Sequence, residues 1–141
     1  MQRGSGVSLK AQRLRPTVWE TGYVKRRVLI VDDHPDFRRL AAAVLCAGGF
    51  EIVGEAADAA SGLAAVDAVS PDLVLLDIQL PGRDGIALSH DIALNAAADV
   101  VLISSREAGD FGSRLRDAPV RGFLTKSEFS ARALEAVAPA A

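Results

Sequence analysis

The sequence predicts an α/β fold built on a doubly wound parallel sheet. Three continuous apolar runs end abruptly in polar side chains, and they alternate with segments whose apolar residues recur at helical spacing. A strand that is buried on both faces of a parallel sheet gives such a continuous run. Five strands alternating with five helices are therefore predicted, and 141 residues suit one domain of this class.

The predicted strands are short apolar runs bounded by turn residues or polar residues. The clearest is 73–76, which ends in the carboxylate of Asp77 and in a loop where Asp84 and Gly85 are expected to start the next helix. In chain order the strands are predicted at 27–31, 50–56, 73–76, 100–103 and 119–124.

The predicted helices carry apolar residues three or four positions apart and are bounded by capping or helix-breaking residues. Leu40 is assigned to the apolar face of the first helix, and Leu94 is among the apolar residues of the third. The fourth helix is predicted to be weak because Gly109 and Gly112 lower its propensity. Ser127 is predicted to cap the fifth helix. In chain order the helices are predicted at 35–47, 61–69, 86–97, 110–116 and 127–137.

The composition is that of a globular protein, with 50% hydrophobic and 24% charged residues. One cysteine excludes an internal disulfide and a cysteine-based metal cluster. No apolar run approaches the roughly 18 residues of a membrane span, and the N-terminus lacks the apolar core of a signal peptide. These features indicate a cytoplasmic protein without a membrane partner.

The charge is unevenly distributed along the chain. Residues 1–25 have a balance of +4 and the remainder a balance of −6. An acidic body argues against direct nucleic-acid binding, which needs a basic surface. Residues 1–25 also lack periodicity, so we expect a mobile N-terminal extension, with a functional basic arm as the alternative. Residues 26–137 are predicted to form the domain and 138–141 a short tail, which leaves no room for an output domain.

Polar side chains follow four of the predicted strands. Because the carboxyl ends of parallel strands meet at one edge of a sheet, these side chains are expected to converge in one cleft. Three carboxylates together require a cation, and oxygen ligands suit Mg²⁺. Asp77 is then the candidate nucleophile toward phosphorus, whereas His34 is interpreted as structural because Mg²⁺ disfavours nitrogen. The converging residues are Asp32, Asp33, Asp77, Ser104 and Lys126.

Four motifs together resemble the receiver domain of bacterial two-component response regulators. They are 31–33 (Val-Asp-Asp), 76–85 (Leu-Asp-Ile-Gln-Leu-Pro-Gly-Arg-Asp-Gly), 103–105 (Ile-Ser-Ser) and 122–126 (Gly-Phe-Leu-Thr-Lys). The 44 residues from Asp33 to Asp77 and the 22 from Ser104 to Lys126 are similar to the family's intervals. The resemblance covers about residues 26–137 and implies the flavodoxin-like strand order 2-1-3-4-5.

The resemblance also implies a role for each site residue. Asp77 would be the phosphoacceptor for a histidine kinase or phosphotransfer protein. Ser104 and Lys126 would bind the phosphoryl group, and Phe123 would switch inward behind Ser104. Mg²⁺ would be held by Asp32, Asp33, Asp77 and the backbone carbonyl of Gln79.

The resulting expectation is a signalling module, not an enzyme, that acts through an unidentified downstream protein. It would be a monomer or a weak phosphorylation-dependent dimer. One alternative is a receiver-like module that signals by interaction without phosphate. A second is an aspartate-nucleophile phosphohydrolase, although Gln79 stands where that class places a second acid. A third is that the natural protein continues into a DNA-binding helix-turn-helix domain, since the motifs are most like those of regulators that carry one.

Overall fold

The computed structural model describes residues 24–140, in which five parallel strands pair in the order β2-β1-β3-β4-β5. The predicted fold class and strand order are confirmed. Most of the predicted N-terminal extension lies outside the described residues. The strands are β1 (Arg27–Val31), β2 (Glu51–Ala56), β3 (Leu73–Asp77), β4 (Asp99–Ser104) and β5 (Gly122–Thr125).

The five helices connect successive strands or follow the last one. A 3-10 turn at Ala108–Asp110 precedes the fourth helix. That helix has only four residues and none of them is fully buried, so the predicted weakness of this segment is confirmed. The helices are α1 (Pro35–Ala47), α2 (Ala59–Val69), α3 (Gly85–Asn95), α4 (Ser113–Arg116) and α5 (Ala131–Val137).

The sheet separates two apolar layers, because successive side chains of a strand point to opposite faces. In β1, Leu29 and Val31 belong to the layer that includes residues of α2 and α3. Val28 and Ile30 belong to the layer that includes residues of α1 and α5. Both faces of the sheet are therefore covered, which explains why β1, β3 and β4 are nearly continuous apolar runs. No helix of the described residues is long and apolar enough to cross a membrane.

Two aspartates set the starts of helices on the α2–α3 side of the sheet. Asp58 accepts a hydrogen bond from Ser61 N at 2.8 Å, so α2 begins two residues before the predicted position. Asp84 accepts from Ala87 N at 2.8 Å and starts α3 as predicted. Its other carboxylate oxygen accepts a hydrogen bond from Arg114 Nη2 at 2.6 Å, which joins the start of α3 to α4.

The prediction that Ser127 caps the fifth helix is wrong. Ser130 is the cap, and its hydroxyl accepts a hydrogen bond from Ala133 N at 2.9 Å. The Ser127 hydroxyl instead lies 3.0 Å from that of Thr125, in a turn closed by the bond from Glu128 N to Thr125 O. Because the Ser127 hydroxyl is taken up in this turn, the helix begins later, at Ala131. Short polar side chains commonly form such local hydrogen bonds in place of helix.

Leu40, which is assigned to the apolar face of α1, is 56% exposed, and Leu94, an apolar residue of α3, is 82% exposed. Helical spacing fixes the direction of a face but not its width, and both residues lie beyond the edge that the sheet covers. The third helix ends at Asn95, two residues early, and β5 begins at Gly122 because Pro119 and Val120 remain in the preceding turn.

The start of α3 lies directly against the end of β3. Gly85 N donates a hydrogen bond to Ile78 O at 2.7 Å. A Cβ atom on Gly85 would overlap the backbone carbonyl oxygen of Asp77. Glycine is therefore required here by close backbone approach.

We predict that Gly85→Ala lowers the free energy of unfolding by about 1–3 kcal/mol, the usual cost of overpacking a tight site. The matched control is Gly109→Ala, since nothing lies within 4 Å of a Cβ at Gly109. Urea denaturation should separate the two variants. Equal midpoints would contradict the close approach.

Candidate functional site

The carboxyl ends of the strands bring the predicted site residues to one edge of the sheet. Asp32 follows β1, Asp77 ends β3, Ser104 ends β4 and Lys126 follows β5. Asp32, Asp77 and Ser104 are buried, with exposed fractions of 0%, 2% and 0%. Burying a carboxylate costs folding free energy unless it is paired with a positive charge. The acidic residues at this edge are therefore not explained by packing alone.

Lys126 is the counter-ion of the two buried carboxylates. Its Nζ lies 2.7 Å from Asp32 Oδ2 and 3.3 Å from Asp77 Oδ2. The same ammonium lies 4.6 Å from the centroid of the Phe37 ring, at cation–π distance. Phe37 belongs to the first turn of α1, so α1 and β5 together hold the ammonium at the ends of β1 and β3.

The carboxylate of Asp77 is held in a poorly solvated position. Burial raises its pKa to about 6, and the charge of Asp32 acts in the same direction. The hydrogen bond from Gln79 N to Asp77 Oδ1, at 3.0 Å, and the Lys126 ammonium oppose this rise in the pKa. Asp77 is therefore a carboxylate whose negative charge is only partly compensated by its neighbours.

Two carboxylate oxygens at this edge show that the residues fit a cation. Asp32 Oδ2 and Asp33 Oδ1 are buried and accept no hydrogen bond from the described residues. Each has a nitrogen nearby without hydrogen-bond alignment, Lys126 Nζ for Asp32 and His34 Nδ1 at 3.2 Å for Asp33. Carboxylate oxygens are among the ligands that Mg²⁺ prefers. We call Asp32, Asp33 and Asp77 the acid cluster.

Ser104 lies beside the loop that follows Asp77. Its Oγ accepts a hydrogen bond from Arg106 N at 3.0 Å and lies 3.4 Å from Gln79 Oε1. The Gln79 side chain is exposed and contributes an amide where an acid would be needed for acid–base chemistry. The hydroxyl of Ser104 is thus at the cleft edge, where it can donate to an incoming anion.

Phe123 is partly buried and packs against the α2–α3 layer of the core. Its ring centroid is 6.1 Å from that of Phe111, with the ring planes inclined by 60°. Phe111 follows the 3-10 turn, so this pair links β5 to the segment before α4. A switch role for Phe123 stays a prediction.

Two residues outside the predicted set, His34 and Phe37, also lie at the site. His34 Nδ1 lies 3.1 Å from Asp32 Oδ1, 3.2 Å from Asp33 Oδ1 and 3.9 Å from Asp77 Oδ2. The interpretation of His34 as structural stays a prediction. The signal was available for His34, which directly follows two acids at a strand end, but Phe37 looked like any apolar residue of a helix.

The profile of the response regulator receiver domain family matches residues 28–138. Transcriptional regulatory protein PdtaR of Mycobacterium tuberculosis is 37% identical over 111 residues, covering 79% of this chain and 54% of PdtaR. Chemotaxis protein CheY of Bacillus subtilis is 33% identical over 112 residues, covering 79% of this chain and 93% of CheY. The chain therefore spans about half the length of the first curated relatives that it matches.

Solved structures agree with these relatives. The signal receiver domain of the response regulator NarL from Mycobacterium tuberculosis has a TM-score of 0.72 at 31% identity, covering 82% of this chain and 98% of that one. A LuxR-family two-component response regulator from Aurantimonas sp. has a TM-score of 0.69 at 30% identity, covering 80% and 82%. Receiver domains of this kind are signalling domains and are generally not enzymes. Together with the strand order and the acid cluster, these matches establish that the chain belongs to the receiver domain family of bacterial two-component response regulators.

Proposed function

We propose that this receiver accepts a phosphoryl group on Asp77 from the phosphohistidine of a histidine kinase or phosphotransfer protein. The observation that carries the proposal is the position of the Asp77 carboxylate. It lies buried at the edge of the sheet, 3.3 Å from the Lys126 ammonium and beside carboxylate oxygens that lack hydrogen bonds. Such a constellation suits an anionic nucleophile whose attack on phosphorus needs positive charge close by.

The transfer exchanges one bond for another. A carboxylate oxygen of Asp77 forms the new O–P bond, while the P–N bond of the donor breaks and its electron pair returns to the imidazole nitrogen. Lys126 stabilises the charge on the equatorial phosphoryl oxygens, and the hydrogen bond from Gln79 N orients the carboxylate. Most of the catalysis is positioning and charge stabilisation, as in phosphoryl transfer generally.

Mg²⁺ would be held by Asp32, Asp33, Asp77 and the backbone carbonyl of Gln79, and would supply positive charge that neutralises the acids and the phosphoryl group. Lys126 already pairs with two of these carboxylates. The side chain of Lys126 is long and 16% exposed, so its ammonium can turn toward phosphoryl oxygens once the acids are neutralised.

Signalling then follows from a shift between two packings of the same fold. The Ser104 hydroxyl, which now donates to Gln79 Oε1, would donate to the phosphoryl group instead, and the ring of Phe123 would move inward behind it. New charge-assisted hydrogen bonds favour this second packing. The short, poorly buried α4 lies beside the Phe111–Phe123 pair and would change its surface most.

The readout would be an altered contact with a downstream protein in the cytoplasm, by a monomer or a weak phosphorylation-dependent dimer. Residues 26–141 carry a balance of −6, which supports a protein partner over direct contact with nucleic acid. Only slow loss of the phosphoryl group is expected of the domain itself. Transcriptional regulation, which the name of PdtaR records for that protein, would require a DNA-binding partner or domain.

Intact mass after incubation with Mg²⁺ and acetyl phosphate tests the proposed function. The expected result is one phosphoryl adduct that is labile in base and absent from Asp77→Ala. Asp67→Ala is the matched control, because Asp67 is an exposed acid on α2, and it should label like the wild type. If the wild type takes no adduct while another receiver is labelled, the chain acts as a phosphate-independent interaction module.

Lys126→Ala should slow adduct formation by on the order of 10²-fold, the scale seen when one preorganised stabilising donor is removed. Lys25→Ala changes an exposed lysine just before β1 and should leave the rate unchanged. Time courses of intact mass give both rates. A Lys126→Ala rate within about twofold of the wild type would remove the ammonium from the mechanism.

The raised pKa of Asp77 predicts a pH-dependent stability in metal-free buffer. The folded state keeps this proton up to about pH 6, whereas an ordinary aspartate loses it near 3.8. The unfolded state therefore binds fewer protons between these values, and the contribution of Asp77 to the free energy of unfolding falls as pH rises through this window. Above pH 6 the charged carboxylate remains a cost.

Asp77→Asn removes this cost because the amide stays neutral. We expect its free energy of unfolding to exceed that of the wild type by about 1–3 kcal/mol at pH 7.5, since one pKa unit corresponds to about 1.4 kcal/mol. Near pH 4 the difference should largely vanish. Urea denaturation in EDTA at the two pH values measures it, and a difference that does not change with pH would contradict the pKa assignment.

A further inference from the structure

His34 places an imidazole nitrogen over the acid cluster. It occupies the N-cap position of α1, between the end of β1 and Pro35, and its backbone is extended with φ −96° and ψ 108°. Its own N–H donates to Asp32 Oδ1 at 2.8 Å, which ties the residue to the carboxylate beside it. The helix start therefore fixes where the ring can lie.

The distances around His34 Nδ1 match the edges of a coordination polyhedron. Ligands at adjacent corners of an octahedron with bonds of about 2.1 Å lie about 3.0 Å apart. Nδ1 is 3.1 Å from Asp32 Oδ1 and 3.2 Å from Asp33 Oδ1. Asp77 Oδ2 is further away, at 3.9 Å. One ligand atom from each of these four residues lies within 4.8 Å of the others.

A positive group already lies where these atoms converge. Lys126 Nζ is 2.7 Å from Asp32 Oδ2, 3.3 Å from Asp77 Oδ2 and 3.4 Å from His34 Nδ1. Asp32, whose side chain is 1% exposed, directs the Oδ2 that accepts no hydrogen bond toward the same point. The space between carboxylates and imidazole is thus sized and charged for a cation.

We propose that His34 is a metal ligand through Nδ1 and that it raises the affinity of the acid cluster for divalent first-row transition ions such as Mn²⁺ and Co²⁺ relative to its affinity for Mg²⁺. The inference rests on the proposed function, because the same carboxylates serve both. Mg²⁺ is a hard ion that takes oxygen ligands and water, whereas imidazole favours the transition ions. A nitrogen donor beside three carboxylates therefore changes the preference of the site.

Ligation uses the neutral imidazole with its proton on Nε2, which leaves the Nδ1 lone pair for the metal. The hydrogen bond between Nδ1 and Asp32 Oδ1 is then replaced by two bonds to one ion. Lys126 is displaced from Asp32 and becomes free for an anion at the same edge. His34 is in this way a residue that determines cation specificity, not a residue that touches the phosphoryl group.

Calorimetric titration of untagged protein with Mg²⁺, Mn²⁺ and Co²⁺ tests the preference. A Cys46→Ser background removes the exposed thiol, which would itself bind Co²⁺. His34→Ala should weaken Co²⁺ binding by about tenfold or more, because even the loss of an outer-shell partner lowers metal affinity on this scale. The same variant should weaken Mg²⁺ binding much less.

The matched control is His90→Ala, since His90 is the other histidine of the chain and lies on the exposed surface of α3. This variant should bind each ion as the parent protein does. An equal effect of His34→Ala on Co²⁺ and Mg²⁺ would overturn the inference.

Pulsed electron paramagnetic resonance of the bound Mn²⁺ gives a second readout that leaves His34 intact. In the His90→Ala protein, His34 is the single remaining histidine. Its direct ligation should appear as a nitrogen coupling that changes when histidine is labelled with ¹⁵N. No such coupling would overturn the inference even if His34→Ala failed to fold.

The two hypotheses separate in the wild type. An Asp77 adduct formed with Mg²⁺, together with Mn²⁺ that shows no histidine nitrogen, keeps the proposed function and rejects the role of His34. A histidine nitrogen on Mn²⁺ without any adduct supports the ligand role of His34 and rejects phosphoryl transfer.

Discussion

The buried ion cluster of Asp32, Asp77 and Lys126 is the interaction on which the architecture of the site depends. Removing carboxylates from water costs several kcal/mol per ion unless opposite charge and hydrogen bonds compensate. The three residues lie at the carboxyl ends of β1, β3 and β5, which are not consecutive in the chain. They meet because β3 lies between β1 and β4 and because parallel strands end at one edge. The ion cluster therefore depends on the strand order, which brings the ends of β1, β3 and β5 to one edge of the sheet.

Much of this arrangement was predictable from sequence because two simple signals coincide. Continuous apolar runs mark strands that are covered on both faces, and an acid or hydroxyl at the end of such a run marks the functional edge. Asp77 and Ser104 carry both signals.

Other features depend on contacts between segments, which a local sequence pattern does not contain. Ser127 and Ser130 are equally good caps by residue type, and the turn at Thr125 decides between them. The exposure of Leu94 depends on how much of α3 the sheet covers. The place of His34 depends on a side-chain direction that is set by the start of α1.

Family membership and the chemistry of the site depend on different features of the chain. Relatives at 33–37% identity establish the family, and structures at about 30% identity establish that the backbone is shared. They do not distinguish among proteins named for chemotaxis and for transcription, because the receiver is common to them. What distinguishes one receiver from another must lie in side chains around the shared carboxylates and in the surface that moves. In this chain, His34 lies beside the three carboxylates of the acid cluster, and α4 has no fully buried residue.

The double role of Asp84 has a thermodynamic consequence. One oxygen of its carboxylate caps α3, and the other pairs with Arg114 of α4. The next residue, Gly85, packs on the backbone of Asp77. A partner protein that binds Arg114 in its present position would therefore also stabilise the turn between β3 and α3, which positions Asp77. Linkage makes this influence reciprocal, so any chemical change at Asp77 that disturbs the turn must alter the affinity for such a protein by the same factor.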